Sequence, residues 1–413
     1  MFRKLHTLEE ARQVIRKHVN AKPSGVESVP LLAAFNRVLA EDVVASLDIP
    51  PFSRSTVDGY AVKAEDTFGA EENQPVKLKV CAKVSAGEPP KTAVRDREAA
   101  EIVTGAPIPK GADAAVMLEY TERKADVLSV HSAVVKGENV MKVGSDIRKG
   151  ETLLKEGQML QSREIGVLAA VGSAKAEVFT VPRIAVLSTG AEITEPGKRL
   201  PPARVYDINA YSLCAAVQES GGHPVYLGVF PDVMEEMKTA IREALATADA
   251  VVTSGGVSVG PKDLMPKVLD SLGKPGVVIC GVAIKPGKPL TVAVIGGKPV
   301  FALPGHPTSA LLVFHLLVHP IIQSMAGRAV GKPAEAKALA AMRMFPAKGR
   351  RTFVMVALKK NKSNRLVAEP IPTGLSGAIT TLAKADGFVE IAEDTQFVDA
   401  GEEVDVQLFK KKQ

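Results

Sequence analysis

Ala250-Val-Val-Thr-Ser-Gly-Gly-Val-Ser-Val-Gly260, followed by Asp263, is the stretch that decides the fold. A short apolar run stops at a Ser-Gly-Gly turn, and a helical pattern resumes after Pro261. Such a run reads as a buried parallel strand that feeds a glycine loop and then a helix N-terminus. Loops of this kind present bare backbone N–H groups and the positive end of a helix dipole, where an anion can sit. Asp263 adds a carboxylate beside that position. An acid next to a phosphate-type pocket points to a bridging divalent cation, because hard cations take oxygen ligands.

The same alternation extends on both sides of this stretch. Ile184-Ala-Val-Leu187 reads as a strand that ends in Ser188-Thr-Gly190. A helix is expected over 209–219, closed by Gly221-Gly222. Next come a strand over 225–229, a helix over 233–246, the strand Ala250-Val-Val252, strands over 277–282 and 299–303, and a helix over 308–318. Strand and helix alternating at short intervals predict a doubly wound α/β sheet over 183–323. Ligands on such sheets sit at the carboxyl ends of the strands. Ser188-Thr-Gly190, Ser254-Gly-Gly256 and Pro304-Gly-His306 all fall at such ends.

The flanks differ in character. Residues 7–20 read as an amphipathic helix, with Thr7-Leu-Glu-Glu10 as its capping box. Residues 27–45 read as a second helical or mixed segment. Between Ile49 and Lys142, prolines and glycines punctuate runs such as Val76-Lys-Leu-Lys-Val80 and Ala114-Ala-Val-Met-Leu118, which predicts a β-rich module. A helical pattern returns at 163–171. A linker is expected over 326–334, then a small β-barrel or sandwich over 340–410, from alternation such as Phe353-Val-Met-Val-Ala-Leu358.

Composition excludes several function classes. At 413 residues the chain is long enough for several domains. Its hydrophobic content of 46% and charged content of 24% are those of a globular protein. A membrane span needs roughly 18 apolar residues in a row. No run here is that long, and Ala310–His319 reads as a buried helix. Cys81, Cys214 and Cys280 are far apart and form no CxxC pair, which fits a reducing cytoplasm. The net charge of +6 comes partly from Lys410-Lys-Lys412. With 4% aromatics and no Trp there is little for bases to stack on, so a small anionic ligand fits better than nucleic acid.

Further clusters carry candidate chemistry. In Lys285-Pro-Gly-Lys288 two ammonium groups flank a tight turn and can converge on one anion. In Leu303-Pro-Gly-His-Pro-Thr-Ser309 a fixed turn precedes a helix that Thr308 or Ser309 can cap. Arg54, Ser55 and Asp58 crowd together beside Phe52 and Tyr60. Glu192, Asp232 and Asp146 follow strand-like runs and, with Asp263, can hold a hard cation such as Mg²⁺. His315 and His319 have zinc-helix spacing but lack the intervening Glu of a metalloprotease, so they read as satisfied helix histidines.

Taken in order, Ser55-Thr-Val-Asp-Gly-Tyr-Ala-Val62, Thr104-Gly-Ala-Pro-Ile-Pro109, Gly144-Ser-Asp-Ile147, Leu187-Ser-Thr-Gly190, Tyr206-Asp-Ile-Asn209, Ser254–Gly260, Lys285-Pro-Gly-Lys288 and Leu303-Pro-Gly305 resemble the molybdopterin molybdenumtransferase (MoeA) family, related to the E domain of gephyrin and its plant counterpart. The resemblance covers essentially the whole chain. It implies a four-domain homodimer, with domain I from 27–45 and 145–180, β-rich domain II from 46–144, a MoaB/MogA-like α/β domain III from 1–26 and 181–325, and β domain IV from 326–413. Domain II would reach toward the partner subunit, so that each active site is shared. The implied activity is insertion of molybdate into adenylated molybdopterin, with Mg²⁺-dependent hydrolysis of the adenylate and release of AMP and molybdenum cofactor.

Carried over residue by residue, Asp58, Thr104, Asp146, Glu192, Asp232 and Asp263 become catalytic candidates, with Asp263 and Asp232 on the metal. Asp207, Asn209, Ser254, Gly255, Gly256, Ser258, Pro304 and Gly305 become substrate-binding candidates; Lys285, Lys288, Arg350, Arg351 and Ser376 become molybdate candidates. The family often has Asn where His306 stands and Ala-Met where Thr56-Val57 stand, which leaves open molybdate or tungstate. A molybdopterin adenylyltransferase and molybdoenzymes are the implied protein partners, with neither nucleic acid nor membrane. Two other readings stay open: the chain adenylates molybdopterin itself, or it is a non-catalytic cofactor carrier or scaffold. ATP-dependent adenylate formation would mark the first, and tight ligand binding without turnover the second.

Overall fold

The computed structural model describes residues 5–257, 264–331, 334–371 and 380–409. The chain forms two compact units, one from 1–27, 36–40 and 177–413, the other from 28–35 and 41–176.

The larger unit is built on a six-stranded sheet. In chain order its elements are β1 (Arg183–Thr189), α1 (Asn209–Glu219), β2 (His223–Phe230), α2 (Met234–Thr247), β3 (Ala250–Ser254), α3 (Met265–Leu272), β4 (Pro275–Cys280), β5 (Thr291–Ile295), β6 (Lys298–Leu303) and α4 (Pro307–Val313). The strand order is β2-β1-β3-β6-β5-β4. β2, β1, β3 and β6 run parallel; β5 and β4 add antiparallel strands at one side. Alternate side chains of the parallel strands enter opposite cores, as period two requires. Ile184, Val186, Val252, Phe301 and Leu303 pack with α1, α4 and the N-terminal helix Leu8–His18. Ala185, Leu187, Val251 and Ala302 pack with α2 and α3. Both faces are covered, which is why these strands read as continuous apolar runs.

The doubly wound sheet is therefore mixed, and β5 is the strand absent from the sequence reading. Its signal is Gly296-Gly297 between β5 and β6. The pair forms a two-residue hairpin turn. Both glycines take left-handed φ values, 57° at Gly296 and 80° at Gly297. β4 also begins two residues before the expected position.

The N-terminal helix carries the expected capping box, with Glu10 N donating to Thr7 Oγ1 at 3.1 Å and Thr7 N to Glu10 Oε2 at 2.8 Å. Residues 27–45 hold no α-helix. They form strands Val26–Pro30 and Val43–Val44 with a 3-10 turn at Leu31–Ala33 between them. The apolar helix is longer than expected. Helical residues run from Pro307 to Met325, with a π turn at Phe314–Val318, and 67% of that stretch is buried inside the fold. Thr308 and Ser309 do not cap it. Pro307 takes the first helical position, His306 becomes the N-cap, and both hydroxyl residues are buried within the first turn.

At the C-terminal end of the larger unit, Glu335–Ala340, Arg351–Lys360, Leu366–Pro370, Gly387–Ile391 and Glu403–Leu408 close into a five-stranded barrel. The barrel also takes up the two-residue strand Ile284–Lys285, parallel to Arg351 and Thr352.

The smaller unit holds a second six-stranded sheet, in the order Ala114–Met117, Gly59–Val62, Glu98–Ile102, Val76–Val84, Val127–Val130, Thr121–Lys124. Tyr60, Val62, Val116 and Leu128 fill one face; Ala61, Ala100 and Ile102 fill the other.

Candidate active site

Because β1, β3 and β6 are parallel neighbours, their carboxyl ends open on one side of the sheet. A cleft of about 700 Å³ lies there. Ser188, Thr189, Gly190 and Glu192 line it from the end of β1, Ser254, Gly255 and Gly256 from β3, and Pro304, Gly305 and His306 from β6. Asp207 and Asn209 at the start of α1, and Asp232 beyond β2, complete its polar lining.

A small hydrogen-bond network fixes this rim. Asn209 Nδ2 donates to Ser254 Oγ and to the Gly305 carbonyl, each at 2.7 Å, and so ties α1 to the ends of β3 and β6. Asp207 Oδ1 accepts from Ser188 Oγ at 2.9 Å and from Ala210 N at 3.0 Å, holding the end of β1 against the first turn of α1. Asp207 Oδ2, Asn209 Oδ1 and Thr189 Oγ1 are buried and meet no donor or acceptor at hydrogen-bonding geometry. At Gly255, φ is +93° and an added Cβ would stand 2.2 Å from the Thr189 carbonyl oxygen. Only glycine lets the two strand ends approach so closely.

Charge around Asp207 shows in its neighbours. Burial first, and then the Asp207 carboxylate, push the Tyr226 phenol well above its ordinary value and the Cys214 thiol up to about 11. Upward shifts keep both groups neutral at physiological pH.

The lysine turn lies at the edge of the same region. Lys285 is exposed, Lys288 is half-buried, and Pro289 lines the cleft. Gly287 (φ +106°) is pressed against α4, where a Cβ would sit 2.5 Å from Val313 Cγ2. The turn is thus packed on the helix that follows β6, and Lys285 is stitched to the barrel beside Thr352. Arg351, expected on molybdate, instead sits among three carboxylates: Glu9 at 2.7 Å, Glu390 at 3.0 Å and Glu393 at 3.0 Å. Its charge is already matched, which suits a clamp between the N-terminal helix and the barrel. Arg350 is half-buried in the turn before it.

His315 and His319 stack with centroids 5.0 Å apart, and His319 Nδ1 pairs with Ser220 Oγ at 2.8 Å. They are packed helix residues.

In the smaller unit, Asp58 accepts from Thr104 N at 2.6 Å and Thr104 Oγ1 at 2.9 Å, joining two of the expected site residues. These bonds, the backbone one first, hold the Asp58 carboxyl below its ordinary range. Asp146 is exposed and directly precedes Ile147, which bridges to Ile49. Ser258, Asp263 and Ser376 lie outside the described residues.

Among the described residues, no three His, Cys, Asp or Glu side chains form a metal cage. Mg²⁺ does not require one, since it is commonly held by one or two carboxylates together with substrate phosphates and water. Glu192 and Asp232 on the cleft wall are oxygen donors of the right kind. The donor set fits a hard cation.

Ser188 and Thr189 line the cleft at positions that the sequence offers only as a strand end. Their signal is the Ser-Thr-Gly terminus itself, parallel to Ser254-Gly-Gly256. Tyr226 has no sequence signal, because its proximity to Asp207 arises from β1–β2 pairing.

Comparison with known proteins divides the chain into three matched regions. Residues 6–172 match the family description "MoeA N-terminal region (domain I and II)", 185–324 match "Probable molybdopterin binding domain", and 337–409 match "MoeA C-terminal region (domain IV)". Molybdopterin molybdenumtransferase of Nostoc sp. is 34% identical, over 92% of this chain and 87% of the relative. That of Bacillus subtilis is 33% identical, over 94% and 91%. A crystal structure of a molybdopterin biosynthesis MoeA protein from Pyrococcus horikoshii is 44% identical with a TM-score of 0.86, covering 99% of this chain and 100% of that one.

Proposed function

The chain belongs to the MoeA family, and from that premise we propose that it inserts molybdate into adenylated molybdopterin, hydrolysing the adenylate with Mg²⁺ and releasing AMP and molybdenum cofactor. It is a transferase of molybdenum cofactor biosynthesis; the adenylate step, the metal and the assembly are the proposed parts. The observation that carries the proposal is the cleft at the ends of β1, β3 and β6, where a glycine loop and the carboxylate residues Glu192 and Asp232 line one space.

The bond to be broken joins two phosphates, so negative charge grows on phosphate oxygens as it breaks. Gly255 and Gly256 bring backbone close to that charge, and the Ser254 hydroxyl, held by Asn209, is oriented beside them. Such preset dipoles stabilise developing charge without reorganising. Asp207 and Asn209 fix the rim on which the pterin or adenine ring would rest, by holding Ser188, Ala210, Ser254 and Gly305. Glu192 and Asp232, with Asp263, would hold Mg²⁺, which when bound neutralises phosphate charge. Molybdate is a dianion and the second substrate. Lys285 and Lys288 are its candidate partners, and a unit charge pair about 4 Å apart is worth roughly 4 kcal/mol at an effective dielectric near 20.

In this reading the protein acts as a cytoplasmic homodimer, with Asp58, Thr104 and Asp146 serving a cleft shared between subunits. The family resemblance supports that assignment, and a dimer mass in solution is its expected outcome. The direct test is AMP release from adenylated molybdopterin supplied with molybdate and Mg²⁺. The wild-type chain is expected to release AMP, Asp263→Ala to lose turnover, and Lys285→Ala to raise the molybdate concentration needed by about tenfold or more. Wild-type turnover in both variants would remove the role assignments.

A further inference from the structure

The cleft has an unusual charge balance for a site that takes an anionic nucleotide. Glu192, Asp207 and Asp232 all line it, and no Lys or Arg does so among the described residues. The one basic side chain in that lining is His306. It is exposed and occupies the N-cap position before Pro307, yet its side chain makes no capping hydrogen bond. Its backbone carries the structural role, with Ala310 N donating to the His306 carbonyl at 2.9 Å. The imidazole is thus free of a helix-capping role and faces the same space as Ser254-Gly255-Gly256.

We propose that His306 is a substrate-binding and specificity residue of this cleft, donating a hydrogen bond to a phosphate oxygen of the pyrophosphate link, with the protonated imidazole binding more tightly than the neutral one. The inference rests on the function proposed above and adds a residue to it. Histidine is the side chain whose charge ordinarily changes between about pH 5 and 8, so it can act as a cation or a neutral donor within the physiological range. The charged groups that face it are the carboxylates of Glu192 at the β1 end, Asp207 before α1 and Asp232 after β2. Lys288 lies one residue from the cleft-lining Pro289, and on its own helix the next titratable group is His315, in the packed π turn.

The probe is ADP-ribose, a pyrophosphate diester whose own charge is constant over this pH range. Its binding to the full chain is measured by calorimetry at about pH 6 and pH 8, for wild type and for His306→Gln, which keeps an N–H donor but never carries charge. Wild type is expected to bind about tenfold tighter at the lower pH, the scale of one charge-assisted hydrogen bond. His306→Gln is expected to bind weakly with little pH dependence. Its thermal midpoint is expected to stay at the wild-type value, because no capping bond is lost. An unchanged affinity and pH profile in His306→Gln overturns the proposal, as does absence of ADP-ribose binding by the wild type. AMP release by the wild type is read separately. If ADP-ribose binds as described and no AMP is released from adenylated molybdopterin, the reading of the reaction fails while His306 as an anion-binding residue stands.

Discussion

Gly255→Ala tests the geometry of the cleft most directly. The new Cβ would stand 2.2 Å from the Thr189 carbonyl oxygen and 3.0 Å from Thr189 Oγ1. The first contact is about 1 Å inside ordinary van der Waals distance, and the obstacle is backbone, which cannot rotate away. At φ +93° an alanine also takes on left-handed strain of about 1–2 kcal/mol. Relief requires β3 and β1 to part at their ends by about 1 Å. A displacement of that size near reacting groups costs about 10²-fold in rate. The expected result is a fall of about 100-fold in kcat/KM for AMP release, together with a destabilisation of about 2–3 kcal/mol. The control is Gly401→Ala in a barrel turn, where φ is +82° and nothing lies within 4 Å of the added Cβ. It carries the same kind of backbone strain without the collision, so it is expected to lose about 1–2 kcal/mol and no activity. If Gly255→Ala matched Gly401→Ala in both turnover and thermal midpoint, the close approach of the two strand ends would not be a determinant of the site.

Two predictions concern protons. Thr104→Val removes the hydroxyl donor to Asp58 but keeps the backbone one, so the Asp58 carboxyl is expected to titrate closer to its ordinary value by carbon-13 NMR. With a depressed pKa, whatever stability the pair contributes is present above the ordinary carboxylate value and lost as pH falls. His319 runs in the same direction for a different reason. Burial first, then the His315 ring, push it from 6.5 down to about 4. The unfolded chain therefore takes up the proton first, and stability is lost as pH falls from 6.5 toward 4. After discounting for partial exposure this amounts to about 2 kcal/mol. His319→Leu is expected to flatten that part of the curve of unfolding free energy against pH, since Ser220 Oγ keeps its bond to the Ala216 carbonyl at 2.6 Å. An undiminished slope would contradict the assignment.

Much of this architecture is legible in the sequence because local pattern and global fold agree. The runs at Ile184, Val251 and Phe301 are apolar on every residue, and only a strand covered on both faces needs that. Their Ser-Thr-Gly, Ser-Gly-Gly and Pro-Gly endings then name the rim of the cleft. β5 is legible too, since Gly296-Gly297 between two apolar runs is the mark of a two-residue hairpin. Residues 27–45, read as helical or mixed, are the mixed case: a single 3-10 turn at Leu31–Ala33 lies between two short strands. Arg351 cannot be placed from sequence at all. Its partners Glu9, Glu390 and Glu393 come from distant parts of the chain, so its three ion pairs are a product of the fold.

Six buried side-chain polar atoms of the described residues have no partner; His6 Nδ1 and Thr194 Oγ1 belong to residues that do not line the cleft. Among buried side-chain polar atoms of the described residues without a partner, Thr189 Oγ1, Asp207 Oδ2 and Asn209 Oδ1 line the cleft. Thr253 Oγ1 belongs to the residue just before Ser254. Each such atom costs about 1–3 kcal/mol relative to a satisfied one. A fold selected for stability alone would replace them with apolar groups of the same shape. The other oxygen of Asp207 and the amide nitrogen of Asn209 are fully engaged in holding Ser188, Ala210, Ser254 and Gly305. One end of each side chain is thus committed to fixing the rim, and its rigidity sets the spacing of the β1, β3 and β6 ends between which the glycine loop and His306 line the cleft.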